Sequence, residues 1–503
     1  MISKRPLAFR LARGLALCVL GLAAFYLVAA NAVLATGLVR SLANSHPDEV
    51  GLEYRSAYTF YPGHIRVQGL KLRYQDRSIQ FELFIDDARV RWNPSELLER
   101  RFHATRVRTT GTSWRMIHNV EAIAGQEQRV ASFPLIFDGP PILKPEAEGP
   151  PTGYREGQWT VHLDDVEAEI SELWFLEYRF LGKGKAMGSF EITPNKSVWV
   201  GPALLTLEPG TLSAGTQLIS SHFSLTGSVT IDPFDVISTP GIKVLRSITG
   251  SVKLDVPISD VGAVELYVPG LKASGKGTLV ADFGLVEGRI SAASRLDARL
   301  SQLKVRQEDG TGFNGNLNTT FKVTADEKGK EWPMVRAVVA GSALVPISKE
   351  ATVTAALSGA SCDLALSTTD FVEGLDLAWL TAQLDEARVE DARAINEAAG
   401  KKAPFIVPAI LGNGPLVASG SATMTPGKLV VRLKEASLGG AAVAGASQKT
   451  GETWNGAAAG HMGVVPLGLK LKGGAMQIVP FTDRGWLDAE LQKFGITLEA
   501  PKG

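Results

Sequence analysis

Two stretches near the start of the chain decide the fold class: Gly63-His-Ile-Arg-Val-Gln-Gly-Leu-Lys-Leu72 and Phe81-Glu-Leu-Phe-Ile-Asp-Asp-Ala-Arg-Val-Arg-Trp92. Apolar and polar residues alternate along both stretches. A period of two places every second side chain on one face of a strand, whereas a helix needs a period of about 3.6. Similar short runs recur along the chain at roughly 8–12 residue spacing. The sequence therefore predicts a mainly β protein built of antiparallel sheet, with few short helices.

The alternation changes phase inside the second stretch. Apolar residues of Phe81–Ile85 follow one phase and those of Ala88–Trp92 follow the other, with Asp86-Asp87 between them. A phase change of this kind is typical of a β-bulge or a tight turn. Adjacent carboxylates of a strand point to opposite faces, so Asp86-Asp87 and Asp164-Asp165 are interpreted as turn or bulge residues rather than catalytic pairs.

The composition excludes several classes of protein. The 503 residues include 52 basic and 52 acidic side chains, so the net charge is zero and no basic field attracts nucleic acid. Glycine, at 52 residues, exceeds the usual share of about 7% and favours many turns. The two cysteines are Cys18, inside an apolar run, and Cys362, so a disulfide framework is not expected.

The apolar run near the N-terminus predicts a membrane anchor. Residues Gly14–Val39 carry no charge, and Asn31 and Thr36 are their only strongly polar members. A helix of about 26 residues rises roughly 39 Å, enough to cross a hydrocarbon core of about 30 Å. Four cations precede the run and predict a cytoplasmic N-terminus with the bulk of the chain across the membrane: Lys4, Arg5, Arg10 and Arg13.

A cleaved secretion signal is the alternative interpretation of the same run. Ala30-Asn31-Ala32 resembles a small-x-small cleavage site. The apolar run continues beyond it to Val39, however, and a signal's apolar core usually spans about 7–15 residues. The anchor is therefore favoured, and both interpretations send the bulk of the chain out of the cytoplasm.

Three helices are expected after the anchor. Asn93-Pro94-Ser95-Glu96 is typical of a helix start. A longer amphipathic helix is predicted over Leu375–Ala399, where Leu377, Leu380, Leu384 and Ala387 form a stripe. A last one spans Asp483–Phe494. Proline crowds the segment 134–158, which is predicted to be a linker.

These signals divide the chain into seven parts. They are a cytoplasmic basic segment (1–13), a transmembrane anchor (14–39), an N-terminal β module (40–133), a Pro-rich linker (134–158), a central β region (159–370), an amphipathic helix (371–402) and a C-terminal β module (403–503).

The sequence offers no catalytic, cofactor or metal motif. Its seven histidines are scattered without metal-ligand spacing. His162 lies near Asp164-Asp165, but a strand end with a polar turn explains this grouping. Gly310-Thr-Gly-Phe-Asn-Gly315 fits GxGxxG, yet a strand pattern follows it where a dinucleotide site needs a helix, so a hairpin turn is predicted. We therefore expect no enzyme and no cofactor.

The alternating pattern itself suggests a function. An open, curved sheet would leave an apolar groove that shields acyl chains from water, at about 0.8 kcal/mol per CH₂. The predicted groove residues are Ile65, Val67, Phe81, Leu83 and Ile85. In a closed sandwich or barrel the same residues would form an ordinary core, and the pattern alone does not separate the two.

Several stretches resemble the AsmA-like family of envelope proteins. The matching elements are the anchor followed by Gly63–Leu72, then Ala88–Trp92, Ser95–Arg101 and Val107–Gly111, and near the C-terminus Gly412–Gly420 through Gly439-Gly440. The order resembles the family's N-terminal module of strand, Gly-Leu turn, strand, short Leu-Leu helix and strand. The similarity is most convincing over residues 14–115 and 404–480.

The resemblance implies a location and a role. It implies a single-pass inner-membrane protein of a Gram-negative envelope, with an elongated, taco-like β-groove in the periplasm. The implied partners are phospholipid or another acyl lipid, the inner membrane and other envelope proteins, but not nucleic acid. The implied role is passing phospholipid between membranes in outer-membrane biogenesis. The alternative is a scaffold or assembly factor for outer-membrane proteins that acts through its strand edges.

Overall fold

The fold is mainly β, as the alternation predicts. The computed structural model describes residues 7–44, 50–75, 79–118, 127–137, 158–193, 196–235, 238–239, 241–268, 270–308, 310, 312–346, 352–390 and 414–498. Strands account for 67% of the chain, which confirms the predicted class. The described strands join a mostly antiparallel sheet. The chain divides into two compact units, Met1–Val252 and Lys253–Gly503.

The first unit contains three helices and nine complete strands among its described residues. The helices are α1 Leu7–Ala35, α2 Leu38–Ala43 and α3 Glu127–Ala131, with 3₁₀ turns over Pro94–Glu99 and Gly241–Ser247. The strands are β1 Val50–Glu53, β2 Ser56–Tyr58, β3 His64–Gln75, β4 Ile79–Trp92, β5 Arg101–His118, β6 Thr160–Phe175, β7 Tyr178–Thr193, β8 Ser197–Ala214 and β9 Gln217–Asp235; β10, Ile248–Ile258, crosses the boundary.

The second unit continues the strand-after-strand order. Its strands are β11 Lys272–Val286, β12 Arg289–Ile290, β13 Arg295–Arg306, β14 Gly312–Ala325, β15 Glu331–Pro346, β16 Thr352–Leu366, β17 Leu377–Val389, β18 Leu416–Thr425, β19 Lys428–Leu438, β20 Ala441–Thr450, β21 Thr453–Met462, β22 Val465–Lys472 and β23 Ala475–Pro480. A 3₁₀ turn spans Gly262–Leu266, and α4 covers Arg484–Gln492.

The N-terminal apolar run is helical, but its ends differ from the predicted 14–39. The helix α1 begins earlier, at Leu7, and ends at Ala35. Gly37 then adopts a left-handed conformation (φ 78°), which breaks the run before α2. Within the part of the chain that the structure describes, no helix meets the combined length and apolarity needed to span a membrane.

Side chains fasten the two N-terminal helices to the first strands. Asn31 in α1 pairs with the backbone of Thr59. The hydroxyl of Tyr54 donates to the carbonyl of Leu34 over 2.7 Å. Asn44, after α2, bonds both backbone groups of Leu52. Polar side chains in and beside an apolar run therefore satisfy strand-end backbone groups.

Strand pairing in the first unit departs once from the predicted antiparallel pattern. Strands β3, β4 and β5 form an antiparallel meander. Strands β5 and β6 then pair in parallel, with His103 opposite His162 and Val107 opposite Val166. Strands β6 to β9 return to antiparallel pairing. A parallel neighbour requires a crossover, and the segment between His118 and Thr160 supplies it.

The phase change at Asp86-Asp87 is neither a turn nor a register shift. Strand β4 continues through both residues, and its pairing with β3 keeps one register. The flanking strands β3 and β5 reverse which face their side chains point to at the same level as Asp86, through the left-handed residues Gly69 (φ 60°) and Gly111 (φ 63°). Because the three neighbouring strands change phase together, the residues on both sides of the change stay paired in one register. By contrast, the pairing of β6 with β7 does shift at Asp164-Asp165, which confirms the bulge predicted there.

The same Asp–Gly arrangement is found among the described residues of both units. An added Cβ on Gly111 would lie 2.0 Å from Oδ2 of Asp86. An added Cβ on Gly359 (φ 67°) would lie 2.0 Å from Oδ2 of Asp385. In both places the aspartate leans over a left-handed glycine of the neighbouring strand, at a position that only glycine can occupy.

The predicted amphipathic helix over 371–402 is wrong where the structure describes it. Residues Leu377–Val389 form strand β17, which pairs with β16 and β18. Register irregularities near Leu377 and between Leu384 and Ala387 each change the phase of the strand. These phase changes space the apolar residues three or four apart, which imitates a helical stripe. Residues 391–402 of the predicted helix lie outside the described residues.

The other local predictions hold where they are described. Asn93 caps the 3₁₀ turn by accepting from the amide of Ser95, and Asp483 caps α4 by accepting from the amide of Trp486. The GxGxxG match lies in an antiparallel hairpin, as predicted: Gly310 follows β13, and Gly312–Gly315 are the first residues of β14. Of the predicted linker, residues 134–137 and 158 are irregular and the remainder lies outside the described residues.

Candidate functional site

The five predicted groove residues all lie on one face of the first unit's sheet. Residues paired directly across strands project to the same side. Ile65 pairs with Val90 and Val67 with Ala88. On the other side of the coordinated phase change, the partners of Phe81, Leu83 and Ile85 are Tyr74, Leu72 and Leu70. The phase change therefore joins two apolar stripes into one surface, which we call the apolar face.

The apolar face continues across the next strands of the unit. On β5 the partner of Leu83 is Trp114, whose ring stacks on Phe81 with centroids 4.8 Å apart. On β6 the partner of Trp114 is Leu173, and on β7 the partner of Leu173 is Phe180. Ile170, Phe180 and Leu207 form a buried cluster at this end.

Side chains do not fill the apolar face completely. A cavity of about 640 Å³ lies on it. Leu83 and Ile85 line this cavity, as predicted, together with residues of the next strands such as Val107, Trp114, Ala168 and Ala186. Small residues stand opposite one another at its centre, with Ala168 paired to Ala186. A pair of alanines leaves room that two larger side chains would occupy.

A second cavity lies at the end of the sheet next to the N-terminal helices. Its volume is about 460 Å³, and Ile65 of the apolar face lines it. Tyr58, Phe60 and Tyr61 contribute aromatic rings, and Phe60 is 73% exposed. Five arginines also line it, and we call them the arginine cluster: Arg66, Arg89, Arg91, Arg106 and Arg108.

Carboxylates neutralise only part of the arginine cluster. Asp87 pairs with Arg66 and Arg89. Asp165 pairs with Arg106 and Arg108, and Glu167 also contacts Arg108. The five arginines thus outnumber these three carboxylates by two. A half-exposed cationic surface of this kind attracts anions.

The sheet face opposite the apolar face carries ion pairs, and Glu172 is a buried acid among them. It accepts from the hydroxyl of Ser113 over 2.6 Å and from Arg115 and Arg179 over 3.1 and 2.7 Å. Burial alone would raise the pKa of Glu172. The hydrogen bonds from Ser113 and Arg179, with the charge of Arg115, outweigh burial and hold this pKa below its ordinary value.

Three side chains that sequence spacing did not associate meet on this charged face. In the described part of the chain, His103, His162 and Asp164 are one group close enough to share a metal ion, with ligand atoms within 4.8 Å of one another. The sequence pattern favours a strand end with a polar turn for His162 and Asp164, and no pattern in it points to His103. Only the parallel pairing of β5 with β6 places His103 opposite His162.

Comparison with known proteins adds no family to this description. No protein-family model, no curated protein and no solved structure matches the chain. The resemblance to the AsmA-like family therefore stays a prediction that depends on the residues quoted above.

Proposed function

We propose that the first unit binds phospholipid, with the acyl chains on the apolar face. The observation that supports this proposal is the cavity of about 640 Å³ beside Leu83 and Ile85. Ligand sites are typically apolar clefts of roughly 300–1,000 Å³. Each acyl CH₂ transferred from water to such a surface gains about 0.8 kcal/mol. A flexible acyl chain can also pack against a surface whose side chains differ in size, from Ala186 to Trp114.

The arginine cluster supports an anionic headgroup on the face opposite the apolar face, because the pairs His64–Arg91 and Arg66–Arg89 alternate with the apolar pair Ile65–Val90. Guanidinium groups bind phosphate oxygens with paired, charge-assisted hydrogen bonds. Arg91 is suited to this role because its recorded hydrogen bond goes to His64 Nε2, at 2.9 Å, rather than to a carboxylate. Ile65 also lines this cavity, but its side chain belongs to the apolar face, so the headgroup site and the acyl-chain site lie on the two faces of the same sheet end.

The N-terminal helix would hold this site beside a membrane. The run Gly14–Val39 is uncharged and follows four cations. Apolar side chains of α1 are exposed, including Phe25 (74%) and Val28 (72%). The bonds between Asn31 and Thr59 favour a retained helix over a cleaved signal. With the AsmA-like resemblance, these features support an inner-membrane anchor, a periplasmic bulk and a part in outer-membrane biogenesis.

A substitution that fills the cavity tests the proposal. Ala186→Phe places a ring at the centre of the apolar face, whereas Thr226→Phe adds the same ring at an exposed position of β9, next to the cavity-lining Leu225 and Gly227. The full chain, purified in detergent, is incubated with radiolabelled phosphatidylglycerol vesicles and re-isolated. We expect bound lipid on the wild type and on Thr226→Phe, and at least a tenfold loss on Ala186→Phe.

Two results would contradict lipid binding. The first is a wild-type protein that retains no stoichiometric lipid by mass spectrometry. The second is equal lipid retention by Ala186→Phe and the wild type when circular dichroism shows that both are folded. A filled apolar core gives the first result, and binding at an unrelated surface gives the second.

Strand-edge binding is a second candidate function. Among the described strands, β23 pairs with β22 on one side, and Met476 on it is 54% exposed. An open strand edge can accept a strand from a partner protein. Proline introduced by Gln477→Pro would remove a backbone donor there. Loss of capture of an outer-membrane protein by this variant, with lipid binding unchanged, would favour the scaffold.

A further inference from the structure

We infer that His103, His162 and Asp164 form a site for one divalent transition-metal ion, with Zn²⁺ as the best fit. The three side chains, which we call the histidine cluster, converge from β5 and β6. Nε2 of His103 lies 2.6 Å from Oδ2 of Asp164, and Nε2 of His162 lies 2.6 Å from Oδ1 of the same carboxylate. Two imidazole nitrogens and a carboxylate oxygen are common ligands of Zn²⁺.

A second set of side chains already orients the two imidazoles. Nδ1 of His103 lies 2.7 Å from Oε1 of Glu96, and Nδ1 of His162 lies 2.5 Å from Oε2 of Glu191. Metal-binding histidines typically donate their other ring N–H to a carboxylate in this way, which fixes the tautomer and makes the ligand nitrogen more basic. Both Nε2 atoms are thereby directed at the carboxylate of Asp164, one at each oxygen.

Arg101 links the two outer carboxylates to each other. Its guanidinium lies 3.1 Å from Glu191 and 3.6 Å from Glu96. On the far side of His162, the ring of Trp199 stacks parallel to the imidazole, with centroids 6.1 Å apart. Neighbours from β5, β7, β8 and the 3₁₀ turn before β5 therefore hold the cluster, so its ligands are supported by rigid strands.

The charges around the histidine cluster favour a divalent ion. Three carboxylates, Glu96, Asp164 and Glu191, contact the two imidazoles, and Arg101 contacts two of them. Histidine binds a metal as the neutral imidazole, so the two negative charges that Arg101 leaves unbalanced match one divalent ion.

The geometry requires only a small adjustment. Zinc–nitrogen and zinc–oxygen bonds of about 2.0–2.2 Å place tetrahedral ligands roughly 3.3 Å apart. The ligand atoms here lie within 4.8 Å of one another, so side-chain shifts of roughly 1 Å suffice. The side chain of Asp164 is 45% exposed, which leaves a route for the ion and a fourth position for water. The bound ion would clamp the parallel pair β5–β6.

Zinc titration of the full-length protein tests this inference. Isothermal titration calorimetry with ZnCl₂, after chelator treatment and tag removal, should give one saturable site per chain. We expect His162→Ala and Asp164→Asn each to weaken the affinity at least tenfold. Glu191→Gln leaves all three ligands in place but loosens one imidazole, so a 10–100-fold loss is expected. His222→Ala and His461→Ala, at exposed histidines outside the cluster, should bind like the wild type.

Cobalt substitution gives a readout of the ligands themselves. Co²⁺ at the histidine cluster should show visible absorption bands of a low-coordinate nitrogen–oxygen site, and Asp164→Asn should shift them. A protein without saturable Zn²⁺ binding would overturn the inference. So would affinity that is unchanged in folded Asp164→Asn but lost in His222→Ala, because the metal would then bind at an unrelated surface histidine.

Discussion

Asn31 and Thr59 exchange two hydrogen bonds of 2.9 Å, one from Asn31 Nδ2 to the carbonyl of Thr59 and one from the amide of Thr59 to Asn31 Oδ1. The amide side chain thus pairs with a backbone as a neighbouring strand would. Nδ2 also donates to the carbonyl of Leu27 over 2.8 Å. This polar residue near the C-terminal end of an apolar helix therefore joins that helix to the sheet that carries the apolar face.

Loss of this junction should destabilise the attachment of α1. Asn31→Leu preserves the apolar character of the helix but leaves the backbone N–H and C=O of Thr59 without these partners. We expect a cost of about 1–3 kcal/mol, measured as faster hydrogen exchange at the Thr59 amide and as easier proteolysis between α1 and β1. Thr36→Val is the control, because the hydroxyl of Thr36 makes only an exposed 3.4 Å contact within the helix. Equal protection of Thr59 in wild type and Asn31→Leu would contradict this role.

Glu172 should make the stability of the first unit dependent on pH. Its pKa is lowered in the folded protein, so its stabilising contribution is complete above the unfolded pKa of about 4.3 and disappears as the pH falls through the folded pKa. Glu172→Gln should cost about 2 kcal/mol at neutral pH. Denaturant unfolding at a series of pH values should show the difference from wild type shrinking below about pH 4.

Asp282→Asn provides the matched control for Glu172→Gln. Asp282 pairs with Lys253, and the two side chains are 56% and 67% exposed. An exposed pair contributes about 0–1 kcal/mol. Comparable losses in the two variants, or a Glu172→Gln difference that stays constant with pH, would show that the buried hydrogen bonds do not set the stability.

Gly111, which lies under Asp86 at the phase change, should not tolerate replacement by any residue with a side chain. Gly111→Ala incurs a left-handed backbone cost of about 1–2 kcal/mol and a collision with Asp86. Gly451→Ala incurs only the backbone cost. Gly451 has φ 58°, and a Cβ added to it would have no neighbouring atom within 4 Å. Thermal unfolding should therefore rank Gly111→Ala clearly below Gly451→Ala.

A double substitution separates the two costs at Gly111. In an Asp86→Ala background the collision with the carboxylate is removed, and the backbone strain and a 2.9 Å approach to the Cβ of residue 86 remain. Gly111→Ala should then cost less than in the wild type, and still more than Gly451→Ala. If the cost in the Asp86→Ala background equals that in the wild type, the carboxylate does not press on this glycine.

Arg91 should select anionic lipid if the proposed headgroup site is correct. Arg91→Gln removes a charge without breaking a carboxylate pair, so folding should be unaffected. We expect retention of phosphatidylglycerol to fall severalfold while retention of uncharged diacylglycerol stays constant. Arg336→Gln, a 64% exposed arginine of the second unit, is the control. Parallel loss of both lipids would assign Arg91 to general packing.

The local patterns of the chain were predictable because they depend on neighbours in sequence. Alternation in Gly63–Leu72 gave β3 and its apolar side, and Asn93 and Asp483 marked helix starts that the structure confirms. These features follow from backbone geometry and from capping, both of which act over a few residues. Alternation also grouped Ile65 with Val67, and Phe81 with Leu83 and Ile85, but the phase change that the paired strands share put the two groups on one face.

Tertiary structure decided the features that depend on strand partners. Leu377–Val389 looked helical because its irregularities reproduce a helical spacing, and only pairing with β16 and β18 makes it a strand. His103 meets His162 because β5 and β6 pair in parallel across a long connection. A sequence pattern records which residues are apolar or charged. Which distant strand supplies the missing backbone hydrogen bonds depends on the whole fold, and that choice sets the cavity and the histidine cluster.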